Sequence, residues 1–348
     1  MQMSPDRLVF GFEELGQEQY TLVGKKCANL GEMTRMGLPV PPGFAVSTRM
    51  YRRFVEETGA AIEISRCLTS FGELRDQSIA VFDELGRSLR AIIESKELPE
   101  EMVAMVASHY KALGQRVGHR NVAVSVRSAG IESRPGMFET YLNVIGVADV
   151  LDRVRKVWAS AFTARAIAFR VSKNIPPMAD ELGVAVCRMV NTRSSGVGFT
   201  VDPVTGDTAN VIIDANWGLG EGVVSGEEGV DRFVVNKKDF AAVQAHIGKK
   251  ARHVVSKARG VAWEDVPPEK QLAPCLSDDA VVAIARLAVS LEERLGQPQD
   301  VEWAVDYDAS QSGNIVLLQT RPAKVAARKI ESITDHMIDL IAKRFHTP

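Results

Sequence analysis

Near the C-terminal end of the chain, apolar and polar residues alternate with a period of two. Val301, Trp303 and Val305 are interleaved with Asp300, Glu302, Ala304 and Asp306. That period predicts a strand with its apolar face inward and its carboxylates on the opposite face. Residues 308–314 (DASQSGN) are rich in turn formers. A second apolar run, Ile315 to Leu318, then ends in Gln319 and Arg321. The pattern predicts a hairpin whose polar face sets two carboxylates opposite an amide and a guanidinium.

Elsewhere the spacing is helical. Leu30, Met33 and Met36 share one face, and the prolines of GLPVPPGF (residues 37–44) end that helix. Residues 48–118 read as mostly helical, with i, i+3, i+4 apolar spacing over 51–57, 82–95 and 101–113. Residues 121–126 predict a strand, running into a polar loop over 127–140. Residues 141–147 predict a returning strand, 150–169 a helix and 183–190 an apolar strand. The serine- and glycine-rich residues 191–200 read as a second hairpin and the natural place for a lobe boundary. A turn over 201–207, strands at 211–215 and 232–235, and a glycine-rich segment at 216–226 follow. Residues 237–274 give no firm pattern. Ser277 is placed to cap a long helix to Leu295, with Asp278 and Asp279 in its first turn. Beyond Ala323 a linker leads to a short amphipathic helix (Ile330, Ile333, Met337, Leu340, Ile341, Phe345), expected to fold back on the body or to dock on a partner.

The 348 residues suffice for two or three domains. A net charge of −2 gives no global attraction to nucleic acid or to an anionic membrane, so an anion site must be a local cluster. No run approaches the length of a membrane span, and the first ten residues lack the apolar core of a secretion signal. The four cysteines (Cys27, Cys67, Cys187, Cys275) are scattered, which favours reduced thiols and a cytoplasmic protein. The six histidines form no ligand pattern.

Three clusters carry candidate chemistry. The C-terminal hairpin face is either an ordinary solvated surface or a site where Mg²⁺ and a triphosphate meet. Mg²⁺ takes a few carboxylate oxygens together with phosphate oxygens, and arginine matches phosphate geometry. Lys25 and Lys26 open a helix, where phosphate is favoured, although no GxxxxGKS/T motif is present. Arg127, at the end of the predicted strand, and Arg134, in the loop after it, are candidate phosphate ligands, because sites sit on loops carried by rigid strands.

With these pieces in order, the chain resembles the N-terminal ATP-binding domain of the phosphoenolpyruvate synthase and pyruvate phosphate dikinase family over roughly residues 8 to 325. The motifs VGKKCANLGEMTRMGLPVPPGF, VSVRSAGIESRPGMFETYLNV, SGVGFTVDPVTGD, WGLGEGVVSG and DVEWAVD with LLQTRPA carry it jointly. The resemblance implies an α/β (α+β) two-lobed ATP-grasp-like fold with mixed sheets and a helical N-terminal part. It places an N-terminal lobe at 1–190, a C-terminal ATP-grasp lobe at 191–325 and a linker and possible partner-docking helix at 326–348. It implies ATP and Mg²⁺ as cofactors. Lys26 falls on the family's phosphate lysine, with Lys25 where a glycine is usual, which leaves open which lysine meets phosphate. Arg127 falls on the arginine of the γ- and β-phosphates, and Gln319 and Arg321 on the pair near the transferred phosphates. Glu302 and Asp300, with Gln319, fall on the metal side. Met189 and Val190 resemble the hinge whose backbone meets adenine, and SRPGMFET resembles a loop that closes over the phosphates.

No histidine here lies in the Thr-x-Gly-Gly…Ser-His-Ala type of loop that marks the family's phosphohistidine domain. The resemblance therefore implies a subunit that passes the β,γ-diphosphate of ATP to a histidine on a partner chain. A separate acceptor-binding subunit or domain would complete the system. The final acceptor would be pyruvate, or a phenol as in the phenylphosphate synthases, whose split arrangement is similar. A non-catalytic nucleotide sensor and an ADP-forming ATP-grasp ligase are the alternative readings.

Overall fold

The computed structural model describes residues 7–75, 77–132, 134, 136–224, 229–307 and 314–325. The turn at 308–313 and the C-terminal helix expected beyond 326 lie outside these residues. The strands are β1 (Val9–Gly11), β2 (Gly43–Val46), β3 (Ala123–Ala129), β4 (Thr140–Ile145), β5 (Gly183–Arg188), β6 (Thr192–Phe199) and β7 (Asn210–Trp217). They continue with β8 (Asp231–Asn236), β9 (Ala242–His246), β10 (Arg252–Ser256), β11 (Val261–Asp265), β12 (Gln299–Asp306) and β13 (Ile315–Pro322). They form a five-stranded sheet in the order β1-β2-β5-β3-β4, a six-stranded sheet in the order β13-β12-β6-β7-β8-β9, and the two-stranded ribbon β10-β11. The named strands pair antiparallel, and Gly218 makes a parallel bridge to Val254.

The period-two rule fixes what each face of the first sheet does. Val124, Val126, Val184, Val186 and Phe44 face a core built with the helices Thr48–Glu57, Ala60–Phe71, Ile79–Ser95, Glu100–Val117, Val147–Ala159 and Ala164–Ser172. Trp158 anchors that core. Its ring lies 5.7 Å from Tyr51 and 5.1 Å from Phe54, and its Nε1 donates to Leu182 O at 3.1 Å. The opposite face carries Ala45, Ala129, Ala185 and Cys187. These small residues admit the helix Lys25–Arg35, whose Cys27, Ala28, Leu30 and Met33 share a second core with Val301, Trp303 and Val305 of the six-stranded sheet. The helix Asp278–Leu295 covers that sheet through Val281, Ile284, Ala288 and Leu291. Ser277 caps it as the sequence indicates, accepting from Ala280 N at 3.3 Å.

Three expectations change. The strand expected over 121–126 extends to Ala129, so Arg127 lies within β3 and not at its end, held between Ala185 and Thr140. Residues 192–199 are one continuous strand and not a hairpin, since β6 pairs with both β12 and β7. The helix expected over 150–169 breaks at Ser160–Phe162, where Thr163 caps a new helix by accepting from Ala166 N at 3.3 Å. Among the described residues no helix is long and apolar enough to cross a membrane.

Candidate functional site

The site lies where the two larger sheets meet. On β3, Ser125, Arg127 and Ala129 share the face turned away from Val124 and Val126. From it the Arg127 guanidinium crosses to the other sheet, its Nη2 donating to Glu302 Oε2 at 3.2 Å and to Gln319 Oε1 at 3.5 Å. Arg127 Nε is buried and has no hydrogen-bond partner. A second cross-sheet pair, Arg188 at the end of β5 with Asp306 at the end of β12, is 2.9 Å long.

The β12–β13 hairpin sets the two carboxylates opposite the amide and the guanidinium, as the pattern predicts, with a bulge after Glu302 that the pattern does not announce. Asp300 lies opposite Arg321 and Glu302 opposite Gln319. Arg321 Nε donates to Asp300 Oδ2 at 2.6 Å, while Asp300 Oδ1 is buried without a partner. Burial pushes the Asp300 carboxyl above its ordinary value, against the pull of Arg321. Glu302, Gln319 and Asp300 thus present a small set of oxygens. Such a set suits a hard cation that keeps water or phosphate oxygens in its remaining positions.

Lys26 is brought to this face by a tight turn. Gly24 has φ +79°, and a Cβ there would sit 2.0 Å from Ala129 O, so only glycine lets the helix start beside β3. Lys25 N donates to Gly130 O at 3.0 Å, and Asn29 Nδ2 donates to Thr320 O at 2.6 Å, fastening the helix to β13. Burial pushes Lys26 down to about 7, helped by the Arg127 guanidinium and opposed by Glu302. Lys25 is exposed. Of the two lysines, Lys26 is therefore the one inside the cluster.

The connection from β5 to β6 holds Met189 and Val190. Met189 N donates to Ala123 O at 2.8 Å, so that amide is engaged within the fold. Arg134 stands elsewhere. Its Nη1 is 2.7 Å from Asp180, its Nη2 is 3.1 Å from Glu132, and its guanidinium lies over the Phe169 ring. It anchors the loop and does not join the oxygens around Arg127.

Glu221 is a residue that no pattern in the sequence singles out. It follows the glycine-rich turn that Gly218 N and Leu219 N fix by donating to Arg193 O at 3.0 Å and Val254 O at 2.8 Å. Burial raises its carboxyl and the Arg127 guanidinium lowers it. The turn of the β10–β11 ribbon touches β4 and the helix after it: Asn143 Nδ2 on β4 donates to Lys257 O, and Arg259 pairs with Asp149 of the helix Val147–Ala159 at 3.6 Å.

Comparison with known proteins places this arrangement. Residues 20–340 match the family described as pyruvate phosphate dikinase, AMP/ATP-binding domain. The chain is 36% identical to the phosphoenolpyruvate synthase of Aeropyrum pernix over 356 aligned positions, covering 93% of this chain and 43% of that protein. It is 37% identical to a probable phosphoenolpyruvate synthase of Staphylothermus marinus, covering 90% and 41%, and 35% identical to that of Methanothermobacter thermautotrophicus, covering 95% and 48%. The chain thus spans less than half the length of these relatives. It belongs to the pyruvate phosphate dikinase AMP/ATP-binding domain family.

Proposed function

We propose that this chain is the Mg-ATP-binding subunit of a dikinase-type phosphotransferase, divided from the chains that carry the phosphohistidine and the acceptor site. The observation that carries the reading is the convergence of Arg127 from one sheet, Glu302, Gln319 and Arg321 from the other, and Lys26 from the helix between them on one small volume. Phosphoryl transfer asks for positioning and charge neutralisation more than for covalent work by the protein, and this set supplies both. Arg127, Arg321 and Lys26 neutralise phosphate oxygens. Glu302 and Gln319, with Asp300, would hold Mg²⁺, which would supply positive charge to offset that of the phosphate oxygens. The Met189 carbonyl and the Val190 amide meet the adenine edge, at the Asp306 end of β12. The lobes divide at 190/191, and closure between them excludes water from the triphosphate.

The histidine comes from a partner. Its imidazole nitrogen attacks the β-phosphorus, the bond to the oxygen bridging the α-phosphorus breaks, and AMP leaves with that electron pair. Water then takes the γ-phosphoryl group as phosphate, and the remaining phosphohistidine phosphorylates a small acceptor, pyruvate or a phenol. The similarity to phosphoenolpyruvate synthases supports the reaction class. The four free cysteines accord with a reducing cytoplasm.

The test is to incubate the chain with Mg-ATP, with and without the histidine-bearing partner, and to separate the nucleotides. AMP and phosphate formed only with the partner are expected. ADP from the isolated chain would instead identify a ligase or an ordinary kinase, and ATP bound without any product would identify a sensor.

A further inference from the structure

Arg193 is a cation on the cleft face of β6 that the reading above leaves unused. Its place follows from register. Glu302 lies opposite Val197, and Ala304 opposite Ser195, so Ser195 and Val197 share the face of Glu302. On the other side Ser195 lies opposite Asn216 and Ser194 opposite Trp217. Gly218 N then donates to Arg193 O at 3.0 Å, and Ser195 Oγ donates to Gly218 O at 2.6 Å, continuing the same alternation. Along β12 the register shifts here: Val305 faces Ser194 and Asp306 faces Thr192, which makes Arg193 the extra residue of a bulge. Bulges beside active sites re-aim a side chain.

Arg193 Nε is buried with no hydrogen-bond partner, and no ion pair of Arg193 is formed among the described residues. A buried Nε–H without an acceptor is costly to keep, and the guanidinium that carries it stays charged and has donors to offer a ligand. Its level on β6 is four residues from that of Glu302, about 13 Å along the strand. It therefore stands toward the Met189–Val190 end and away from the phosphates that Arg127 meets.

We propose that Arg193 is a nucleotide-binding residue which recognises the sugar and α-phosphate of the bound nucleotide. The donors of the bulged guanidinium reach the acceptor oxygens between the base and the β-phosphate. This rests on the nucleotide reading given above. It adds that AMP, and not only the triphosphate, is gripped at the base end of the cleft. Arg127 discriminates ATP from AMP, whereas Arg193 serves both.

The experiment is calorimetric titration of ATP and AMP, in the presence of Mg²⁺, into the wild-type chain and into Arg193→Met, Arg193→Lys and Arg127→Ala. The melting temperature of each variant serves as the check on folding. Arg193→Met is expected to lose roughly ten-fold to a hundred-fold in affinity for ATP and AMP alike, with Arg193→Lys recovering part of the loss. Arg127→Ala is expected to lose affinity for ATP while AMP binding stays unchanged. Wild-type affinity for both nucleotides in a folded Arg193→Met overturns this inference and leaves the nucleotide reading standing. A loss confined to ATP also overturns it, since that would place Arg193 with the outer phosphates. A wild-type chain that binds no ATP overturns the nucleotide reading, and this inference with it.

Discussion

Arg127 on one sheet and Glu302 on the other form a 3.2 Å ion pair across the cleft, with their side chains only 19% and 18% exposed. In the function proposed above, both take other partners once a nucleotide arrives: the guanidinium phosphate and the carboxylate the metal. A cation held at Glu302 would take the carboxylate from Arg127 and free its donors. Metal and triphosphate binding are therefore expected to reinforce each other. Titrating ATP with Mg²⁺ and again with chelator should show at least a ten-fold tightening by the metal, a coupling of about 1.4 kcal/mol. Glu302→Gln should abolish that coupling and the turnover while the protein stays folded. An equal ATP affinity in both conditions for the wild type would contradict this.

Lys26 gives the site a pH dependence near neutrality. Its folded pKa is lowered to about 7 by burial and by Arg127, so in the ligand-free protein it loses its proton as pH rises through that value. The unfolded chain keeps the proton to higher pH, and stability therefore rises as pH climbs from about 7 toward the ordinary lysine range. A triphosphate favours the ammonium. Below about 7 the charge is already present, whereas above it binding must take up a proton. ATP affinity is therefore expected to fall above neutrality by at most about ten-fold per pH unit. Titrations near pH 8 in buffers of different ionisation enthalpy should register proton uptake by the wild type and none by Lys26→Arg.

Gly24→Ala should harm the site from beneath. The substitution puts a Cβ 2.0 Å from Ala129 O at a residue with φ +79°. Its ψ of 154° puts Gly24 in a region that is essentially glycine's alone, where another residue costs about 1–3 kcal/mol, and the clash displaces the helix that carries Lys26. A lower melting temperature together with weaker ATP binding is expected. Unchanged values for both would show that the turn is looser than the geometry requires.

A buried ion pair away from the cleft sets a stability expectation. Lys250 and Asp231 are both fully buried, with Nζ 2.5 Å from Oδ1, and the aspartate also accepts from Gly248 N at 3.2 Å and Cys275 N at 2.8 Å. Lys250→Met leaves a buried carboxylate without its cation, at a cost of roughly 3–5 kcal/mol. Denaturant titration measures it. A change below about 1 kcal/mol would mean that the two amide donors alone satisfy Asp231.

The C-terminal hairpin was legible because a half-buried strand writes its faces into the alternation of residues: Asp300 and Glu302 share a face and meet Arg321 and Gln319, while the bulge after Glu302 that sets the exact register was not. The capped helix Asp278–Leu295 was legible for the same kind of reason. Less legible was β6, whose serines and glycines resemble a turn. There the small residues answer to a neighbour, since a Cβ on Gly196 would lie 1.9 Å from Asp214 O and 2.8 Å from the Trp303 ring. The strand β9 is exposed at every position, so it shows no period, and the ribbon β10–β11 keeps only Val254 buried. Arg127 and Arg134 look equivalent in sequence. What separates them is Asp180, 46 residues beyond Arg134, which captures one guanidinium while the other faces Glu302. Glu221 is placed by a glycine turn that Arg193 and Val254 hold through their carbonyls, and nothing in the local sequence announces that.

The most direct measurement follows the two outer phosphates separately. The chain would be mixed with Mg-ATP labelled at the β- or the γ-phosphorus and with the partner bearing the acceptor histidine. The expected result is β-label held on the partner in an acid-labile bond, γ-label released as phosphate, and AMP as the nucleotide product. Label from the γ-position held on protein, with ADP left behind, would contradict the dikinase account.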